Sequence, residues 1–144
     1  MLRAAALAVL TALALPALAE AKGASTPSSA VRAHYRHIYL GKFDAAWALL
    51  TPAAKRQLGP YRTWKAGYAE TGQVTVYSLR RAGSVMRFNL AACRGDGDRE
   101  VTIHERFRVT WPVRKIAGRW YLDRGVKVNR TSREEVERCS LPLP

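Results

Sequence analysis

The sequence predicts an α+β domain in which amino-terminal helices pack on a strongly curved, four-stranded antiparallel meander. Two observations support this fold class. From residue 27 to residue 68 apolar residues recur at helical spacing, whereas beyond residue 73 apolar and polar residues alternate with the two-residue period of half-buried strands. Short turn signals separate the predicted strands, so neighbouring strands should run antiparallel. Helices followed by a run of strands are typical of α+β domains.

The amino-terminal segment has the layout of a secretory signal. Arg3 precedes an apolar run over residues 4–15, and small residues follow at Ala17 and Ala19. We expect cleavage after Ala19, because an A-x-A sequence follows the short apolar run. That run is too short to cross a bilayer as a helix. The protein is therefore predicted to be exported, to a bacterial periplasm or to the extracellular space, with residues 20–29 as a flexible leader.

Four helices are predicted before the strands. The first begins near Thr26, has Pro27 in its first turn and ends at Gly41, a residue that suits the position after a helix. The others are expected in "KFDAAWALL", "PAAKRQL" and "PYRTWKAGY". The buried stripe of the first helix consists of residues spaced by four and three positions: Val31, Tyr35 and Ile38.

The strands are predicted at residues 73–81, 84–93, 99–116 and 119–128. Counting outward from tight turns places Ile103 opposite Leu90, Glu105 opposite Phe88, Phe88 opposite Tyr77 and Val113 opposite Leu122. All three turns then place one apolar row on the same face, which a one-residue slip in any turn would reverse. That row consists of Tyr77, Leu79, Met86, Phe88, Leu90, Val101, Ile103, Phe107, Val109, Trp111, Val113, Trp120, Leu122 and Val126.

Glu105 is an acid within this apolar row. One interpretation is a pocket acid that moves a proton together with Tyr77, as in an isomerase or dehydratase. Two alternatives stand beside it: an ion pair with Arg130, or a β-bulge near residues 104–106 that turns the carboxylate out to water. A lone carboxylate is weak support for catalysis. Glu105 and Tyr77 are therefore only candidates, no catalytic residue is assigned, and the sequence favours a non-enzymatic protein.

Two further side chains are candidate ligand contacts. Arg124 is predicted on the inward row opposite Trp111, either as an anchor for an anionic ligand or stacked on the indole ring. Trp64 is the least constrained of the four tryptophans, so it is the best candidate for a ligand or partner contact. Together with Glu105 and Tyr77 these form the predicted ligand-binding set. No metal-ligand spacing and no nucleotide-binding motif is found, so no metal and no cofactor is expected.

The two cysteines predict one disulfide. Cys93 and Cys139 are an even pair in a chain that is expected to be exported. Ser132 followed by Glu135 matches a capping box, which predicts a short helix within the tail of residues 129–144. That helix would bring Cys139 back to Cys93 and tie the tail to the domain.

The chain is strongly basic, with 24 Lys and Arg residues, 11 Asp and Glu residues and a net charge of +13. Such a protein is attracted to polyanions, for example an envelope polymer or an anionic membrane surface. The basic residues are spread along the chain, which favours ordinary solvation, and no specific nucleic-acid binding is predicted. Binding of an anionic polymer would require these residues to converge on one surface: Arg36, Arg80, Arg87, Arg106 and Arg108.

Over residues 30–128 the chain resembles the nuclear-transport-factor-2-like superfamily of cone-shaped α+β domains. The resemblance is carried by "HYRHIYLGKFDAAWALLTPAAKRQLGPYRTW" and by the closing "GRWYLDRGVKV". It implies a single cone-shaped domain whose helices and concave sheet enclose a pocket. Family members include isomerases, dehydratases and polyketide cyclases, as well as non-catalytic binding or accessory domains. No catalytic signature of the family is matched, so the resemblance implies an exported binding or accessory domain whose partner is a small ligand or an envelope protein.

Overall fold

The computed structural model describes residues 23–96 and 99–142. The predicted signal segment and its cleavage site lie outside the described residues. The helices are α1 (Pro27–Tyr39), α2 (Phe43–Ala48), α3 (Pro52–Leu58) and α4 (Tyr61–Ala66), and the strands are β1 (Thr71–Ala82), β2 (Val85–Asp96), β3 (Arg99–Ile116), β4 (Arg119–Leu122) and β5 (Lys127–Val136). The α+β class is confirmed, with five strands in the described part of the chain instead of four. Among these residues, no helix has the length and apolar character needed to span a membrane.

Helix α1 is fixed at both ends by the residues that the sequence indicates. The Thr26 hydroxyl accepts a hydrogen bond from the Ser29 amide at 3.0 Å, and the Ser29 hydroxyl accepts one from the Thr26 amide at 2.9 Å. These two bonds satisfy amides that a helix start leaves without partners. After the helix the chain turns at Gly41, whose φ of +68° glycine adopts without strain. The buried face is wider than the predicted stripe and comprises Ala30, Val31, His34, Tyr35 and Ile38.

The short helices are joined to the sheet through Thr51. Its hydroxyl caps α3 by accepting a hydrogen bond from the Ala54 amide at 3.1 Å, and it donates one to Asp123 Oδ1 at 2.6 Å. Asp123 directly follows β4. Its Oδ2 forms an ion pair with Arg114, whose Nε lies 2.9 Å away. One buried carboxylate thus connects a helix start to two strands.

The sheet has the order β1-β2-β3-β4, and β5 also pairs with β3. Strand β4 pairs with residues 113–116 of β3, and β5 pairs with residues 102–110. The two strands therefore lie end to end along one edge of β3, separated by residues 123–126. The 18 residues of β3 are long enough to pair with both.

The predicted helix in the tail is wrong. Residues 127–136 form β5, and Ser132 lies opposite Arg106 instead of capping a helix. The physical reason is that residues 102–110 of β3 offer a row of unpaired backbone groups, and an added strand satisfies them. An isolated helix of one or two turns is marginal in water and supplies no partner to that edge.

The predicted pairing is confirmed in the β3–β4 hairpin and wrong in the other two, where for example Tyr77 lies opposite Asn89 instead of Phe88. Val113 lies opposite Leu122, as counted from the turn between β3 and β4. In the β2–β3 hairpin Glu105 lies opposite Ala92 and Ile103 opposite Arg94, four positions from the prediction. Two positions arise because Asp96 pairs with Arg99, so the turn is centred one residue later, and two because β3 carries two extra residues next to Gly95. Because side chains alternate between the two faces of a sheet, a register shift by an even number of residues leaves each side chain on the same face. The apolar row of β3 therefore still points to the helices.

A bulge at Ser78 changes the facing of β1. Tyr77 pairs with Asn89 and Arg80 pairs with Arg87, so β1 has one more residue than β2 over this interval. Ser78 is the extra residue and has a positive φ of 53°. As a result Leu79 packs against the core, whereas Tyr77 is 39% exposed on the other face. The prediction that Tyr77 faces the helices is therefore wrong.

The space between α1 and the sheet is filled by aromatic rings. The His34 ring lies 5.1 Å from Tyr35, 6.0 Å from Trp64 and 5.2 Å from Trp111, measured between ring centroids. His34 is fully buried, and its Nδ1 lies 3.0 Å from the Ala46 carbonyl oxygen, so Nδ1–H donates there. Its Nε2 has no partner among the described residues. Burial lowers the His34 pKa from 6.5 to about 4, so the ring is neutral near pH 7.

Candidate functional site

The face of the sheet that points away from the helices, here the outer face, carries an open groove of about 570 Å³. Strand alternation and the bulge at Ser78 bring its polar side chains to one side of three neighbouring strands. We call it the arginine groove. Its lining residues are Ser78, Arg80, Arg87, Phe88, Asn89, Arg108, Val109 and Thr110.

Cross-strand pairing explains why three arginines meet in this groove. Arg80 lies directly opposite Arg87, and Arg108 lies opposite Asn89 in the neighbouring row. Side chains that are directly opposite in an antiparallel pair have Cβ atoms about 5 Å apart, and like charges there repel. Arg80 and Arg87 are both exposed, so water and salt reduce this repulsion without removing it.

Among the residues that the structure describes, none of these three arginines is paired with an acid. Within the part of the chain that the structure describes, the ion pairs of Asp and Glu side chains involve Arg94, Arg114, Arg130 and His104. The groove therefore keeps an uncompensated positive charge. Asn89, Ser78 and Thr110 add neutral donors around it. Three guanidinium groups and neutral donors in one groove favour an anionic ligand.

A second, more apolar depression of about 330 Å³ adjoins this groove on the outer face. The carboxyl-terminal segment folds back over the sheet and forms one of its walls. We call it the tail groove. It is lined by Thr75, Tyr77, Ala91, His104, Arg106, Leu141 and Pro142.

A disulfide holds this tail segment on the sheet. Cys93 and Cys139 are bonded, with their Cα atoms 6.0 Å apart, which confirms the predicted pairing. The Leu141 amide also donates to Gln73 Oε1 at 3.3 Å. Because the tail covers this end of the sheet, Ala91 and Cys93 are buried although they lie on the outer face.

Glu105 is held by ion pairs on the face toward the helices. Arg130 Nη1 lies 2.9 Å from its Oε1, and Arg94 Nε lies 3.2 Å from its Oε2. Of the alternatives drawn from the sequence, the structure contains the ion pair with Arg130 and adds Arg94. A bulge does occur between β3 and β5 next to Arg106, yet the Glu105 residue stays only 6% exposed. Both carboxylate oxygens are thus engaged by guanidinium groups.

We expect Glu105→Gln to lower the free energy of unfolding by about 2 kcal/mol, because two arginines lose a buried anionic partner. The measurement is urea unfolding near pH 7. The control is Glu134→Gln: Glu134 pairs with His104 but its side chain is 55% exposed, so a change below about 0.5 kcal/mol is expected. Equal effects of the two substitutions would contradict the anchoring role of Glu105.

The four predicted ligand-binding residues do not come together. Glu105 faces the helices, and Tyr77 lies on the opposite face of the sheet, so the proposed acid–tyrosine pocket does not form. Trp64 is 8% exposed and packs against Trp47, with ring centroids 5.0 Å apart. Of these residues only Tyr77 borders a groove of the outer face.

Arg124 lies in the connection between β4 and β5. There it is exposed and borders a shallow depression with Arg56 and Gln57 of α3, away from Trp111. The Trp111 indole instead donates to the Asp123 carbonyl at 2.8 Å. The predicted inward position of Arg124 is wrong, because the strand breaks after Leu122.

The sequence pointed to part of the arginine groove. Alternation predicts four arginines on the outward row: Arg80, Arg87, Arg106 and Arg108. In the structure Arg106 lines the tail groove, and the other three line the arginine groove. Arg36 belongs to α1, which packs on the other face of the sheet. The sequence gives no signal for Asn89, Ser78 and Thr110, because strand register decides which polar residues join the arginines.

Fold and groove together define an α+β domain with a basic groove on the face of its sheet that points away from the helices. A similar solved structure is the solution structure of RPA3114, a SEC-C motif containing protein from Rhodopseudomonas palustris. It has a TM-score of 0.54 and 24% sequence identity, and the match covers 76% of this chain and 84% of that chain. At this identity the similarity shows the fold alone. No protein-family model and no curated protein matches the chain.

The predicted resemblance to the nuclear-transport-factor-2-like superfamily is wrong, because the structural match is to a SEC-C motif containing protein. The stretches that suggested the resemblance contain helix caps, turn glycines and packed aromatic residues. Helices that pack on an antiparallel meander need such residues in any family. They describe packing, and packing does not distinguish these two families.

Proposed function

We propose that this protein is an exported, non-catalytic binding protein that takes an anionic ligand in the arginine groove. The observation that carries this proposal is the set of three arginines, Arg80, Arg87 and Arg108, around one groove without an acidic partner in the described chain. A phosphate, sulfate or carboxylate group would replace the missing counter-charge.

The scaffold suits binding through a fixed surface. The arginines stand on β1, β2 and β3, three neighbouring strands that pair along most of their length. Side chains on strands are positioned more precisely than side chains on loops. A preformed set of cations binds an anion with little loss of backbone freedom, so no conformational change is needed.

Export is supported by the chemistry of the cysteines and by the amino-terminal pattern. The Cys93–Cys139 disulfide is typical of proteins in oxidising compartments. The segment up to Ala19 has the composition of a cleaved secretory signal. A basic exported protein meets anionic ligands at the cell envelope, in polymers and in lipids.

The test is binding of inorganic pyrophosphate, measured by isothermal titration calorimetry at low and at moderate salt. We expect Arg87→Gln and Arg108→Gln each to weaken binding about tenfold, which corresponds to about 1.4 kcal/mol. Affinity should fall as salt is raised, because charge pairs at an open groove are screened.

The matched control is Arg62→Gln, which removes the same charge from an exposed position on α4, on the helical side of the protein. This variant should bind as the wild type does. If Arg62→Gln weakens binding as much as Arg87→Gln, attraction depends on net charge and the arginine groove is not a site. No detectable binding by the wild type would also contradict the proposal.

A further inference from the structure

The arginine groove and the tail groove lie next to each other on the outer face, and we refer to the two together as the channel. Tyr77 of the tail groove and Ser78 of the arginine groove are consecutive in β1. On β3, Arg106 and Arg108 point to the same side and belong one to each groove. Two residues along a strand span about 7 Å, so the two grooves are immediate neighbours.

The chemistry of this channel changes from one end to the other. At one end are Arg80 and Arg87, directly opposite each other on β1 and β2. At the other end most of the wall is apolar, with the Tyr77 ring, the Ala91 methyl group and the side chains of Leu141 and Pro142, and with Thr75, His104 and Arg106 at its border. A cationic end and an apolar end in one channel complement a molecule with the opposite arrangement.

We propose that the ligand is a monomeric amphipathic anion, with its charged head at Arg80, Arg87 and Arg108 and its apolar chain between Tyr77 and Leu141. This inference rests on the proposed function, because it uses the same arginines, and it adds the chemical class of the ligand. Along β2, Arg87 and Ala91 are four residues apart, which corresponds to about 14 Å. A ligand that contacts both ends of the channel must span about this distance.

The tail supplies the part of the site that a bare sheet would lack. Tyr77 is 39% exposed, and Leu141 stands across the depression on a segment that the disulfide pins down. An apolar chain between them would be covered on two sides, and its removal from water would stabilise the complex. Head and chain therefore contribute separately to affinity.

The experiment compares three probes by isothermal titration calorimetry, each below the concentration at which it forms micelles: decyl phosphate, inorganic phosphate and the neutral decyl maltoside. We expect decyl phosphate to bind the wild type at least tenfold more tightly than inorganic phosphate, and decyl maltoside to bind more weakly than decyl phosphate. Leu141→Asn and Tyr77→Gln should remove most of the difference between the two phosphates. Arg87→Gln should weaken binding of both phosphates.

The matched control is Leu40→Asn, which changes an apolar residue that is 48% exposed at the end of α1, remote from the channel. It should leave the preference for decyl phosphate intact. Leu141 lies outside the strands and is only partly buried, so we expect its substitution to leave the fold in place.

Each other outcome contradicts a defined part of the proposal. Equal affinities for decyl phosphate and inorganic phosphate, both sensitive to Arg87→Gln, would overturn the amphipathic ligand and leave the anion-binding function standing. No binding of either phosphate would overturn both. Binding to vesicles of an anionic phospholipid without binding of monomeric decyl phosphate would show a membrane surface as the partner and overturn the monomeric ligand.

Discussion

Removal of the disulfide is expected to have the largest effect on stability. Cys93→Ala combined with Cys139→Ala should lower the free energy of unfolding by about 4 kcal/mol, because the bond closes a loop with a sequence separation of 46 residues. In the chain-entropy model the loss comes mainly from greater freedom of the unfolded chain. The measurement is urea unfolding of the oxidised wild type and of the double variant.

Reduction supplies the control for this prediction. Wild-type protein in excess reducing agent should unfold at the same urea concentration as the double variant, since both lack only the cross-link. A difference of less than about 1 kcal/mol between oxidised wild type and double variant would contradict the expectation, because it would mean that the cross-link hardly restricts the unfolded chain.

The second large effect concerns His34 and pH. Burial lowers the pKa of His34 to about 4, whereas a histidine in the unfolded chain has a pKa near 6.5. Between these values the unfolded state binds a proton that the folded state does not, so stability is full above pH 6.5 and falls as the pH drops toward 4. The loss from pH 7.5 to pH 4 should be about 3 kcal/mol, measured by urea unfolding at a series of pH values.

The substitution His34→Asn tests whether His34 causes the loss of stability at low pH. An asparagine amide can still donate to the Ala46 carbonyl, and it does not titrate. The variant should be less stable at pH 7.5, because a smaller side chain leaves a gap among the rings, but its stability should change far less between pH 7.5 and pH 4. The pKa of His37 is also lowered, by partial burial and then by Lys42 and Arg36. A small dependence of the variant's stability on pH should therefore remain. If His34→Asn loses as much stability between pH 7.5 and pH 4 as the wild type, another titratable group causes the loss.

The helices could be predicted because their signals are local. Thr26 and Pro27 mark the start of α1, and Thr51 followed by a proline marks the start of α3. Each cap satisfies backbone amides within four residues, so no distant part of the chain is involved. The facing of β3 was also predictable, since its apolar residues alternate over many positions.

The facing of β1 and the extent of β5 depend on distant contacts, and the sequence does not show them. A bulge at Ser78 reverses the facing of the strand without the glycine that often marks such a site. Lys127–Val136 has few apolar residues, and it is a strand because the edge of β3 is available to it. The candidate site also depends on distant contacts: alternation indicated the arginines, but only the strand register brings Asn89 and Arg108 together.

The two free edges of the sheet have a consequence for crowded conditions. Exposed strand edges can add strands from other molecules, and charged side chains or bulges oppose this. Strand β5 is a highly charged edge, with Lys127, Arg130 and Arg133 among its exposed residues, and the opposite edge, β1, is interrupted by its bulge. We therefore expect both borders to disfavour edge-to-edge pairing between copies of the chain.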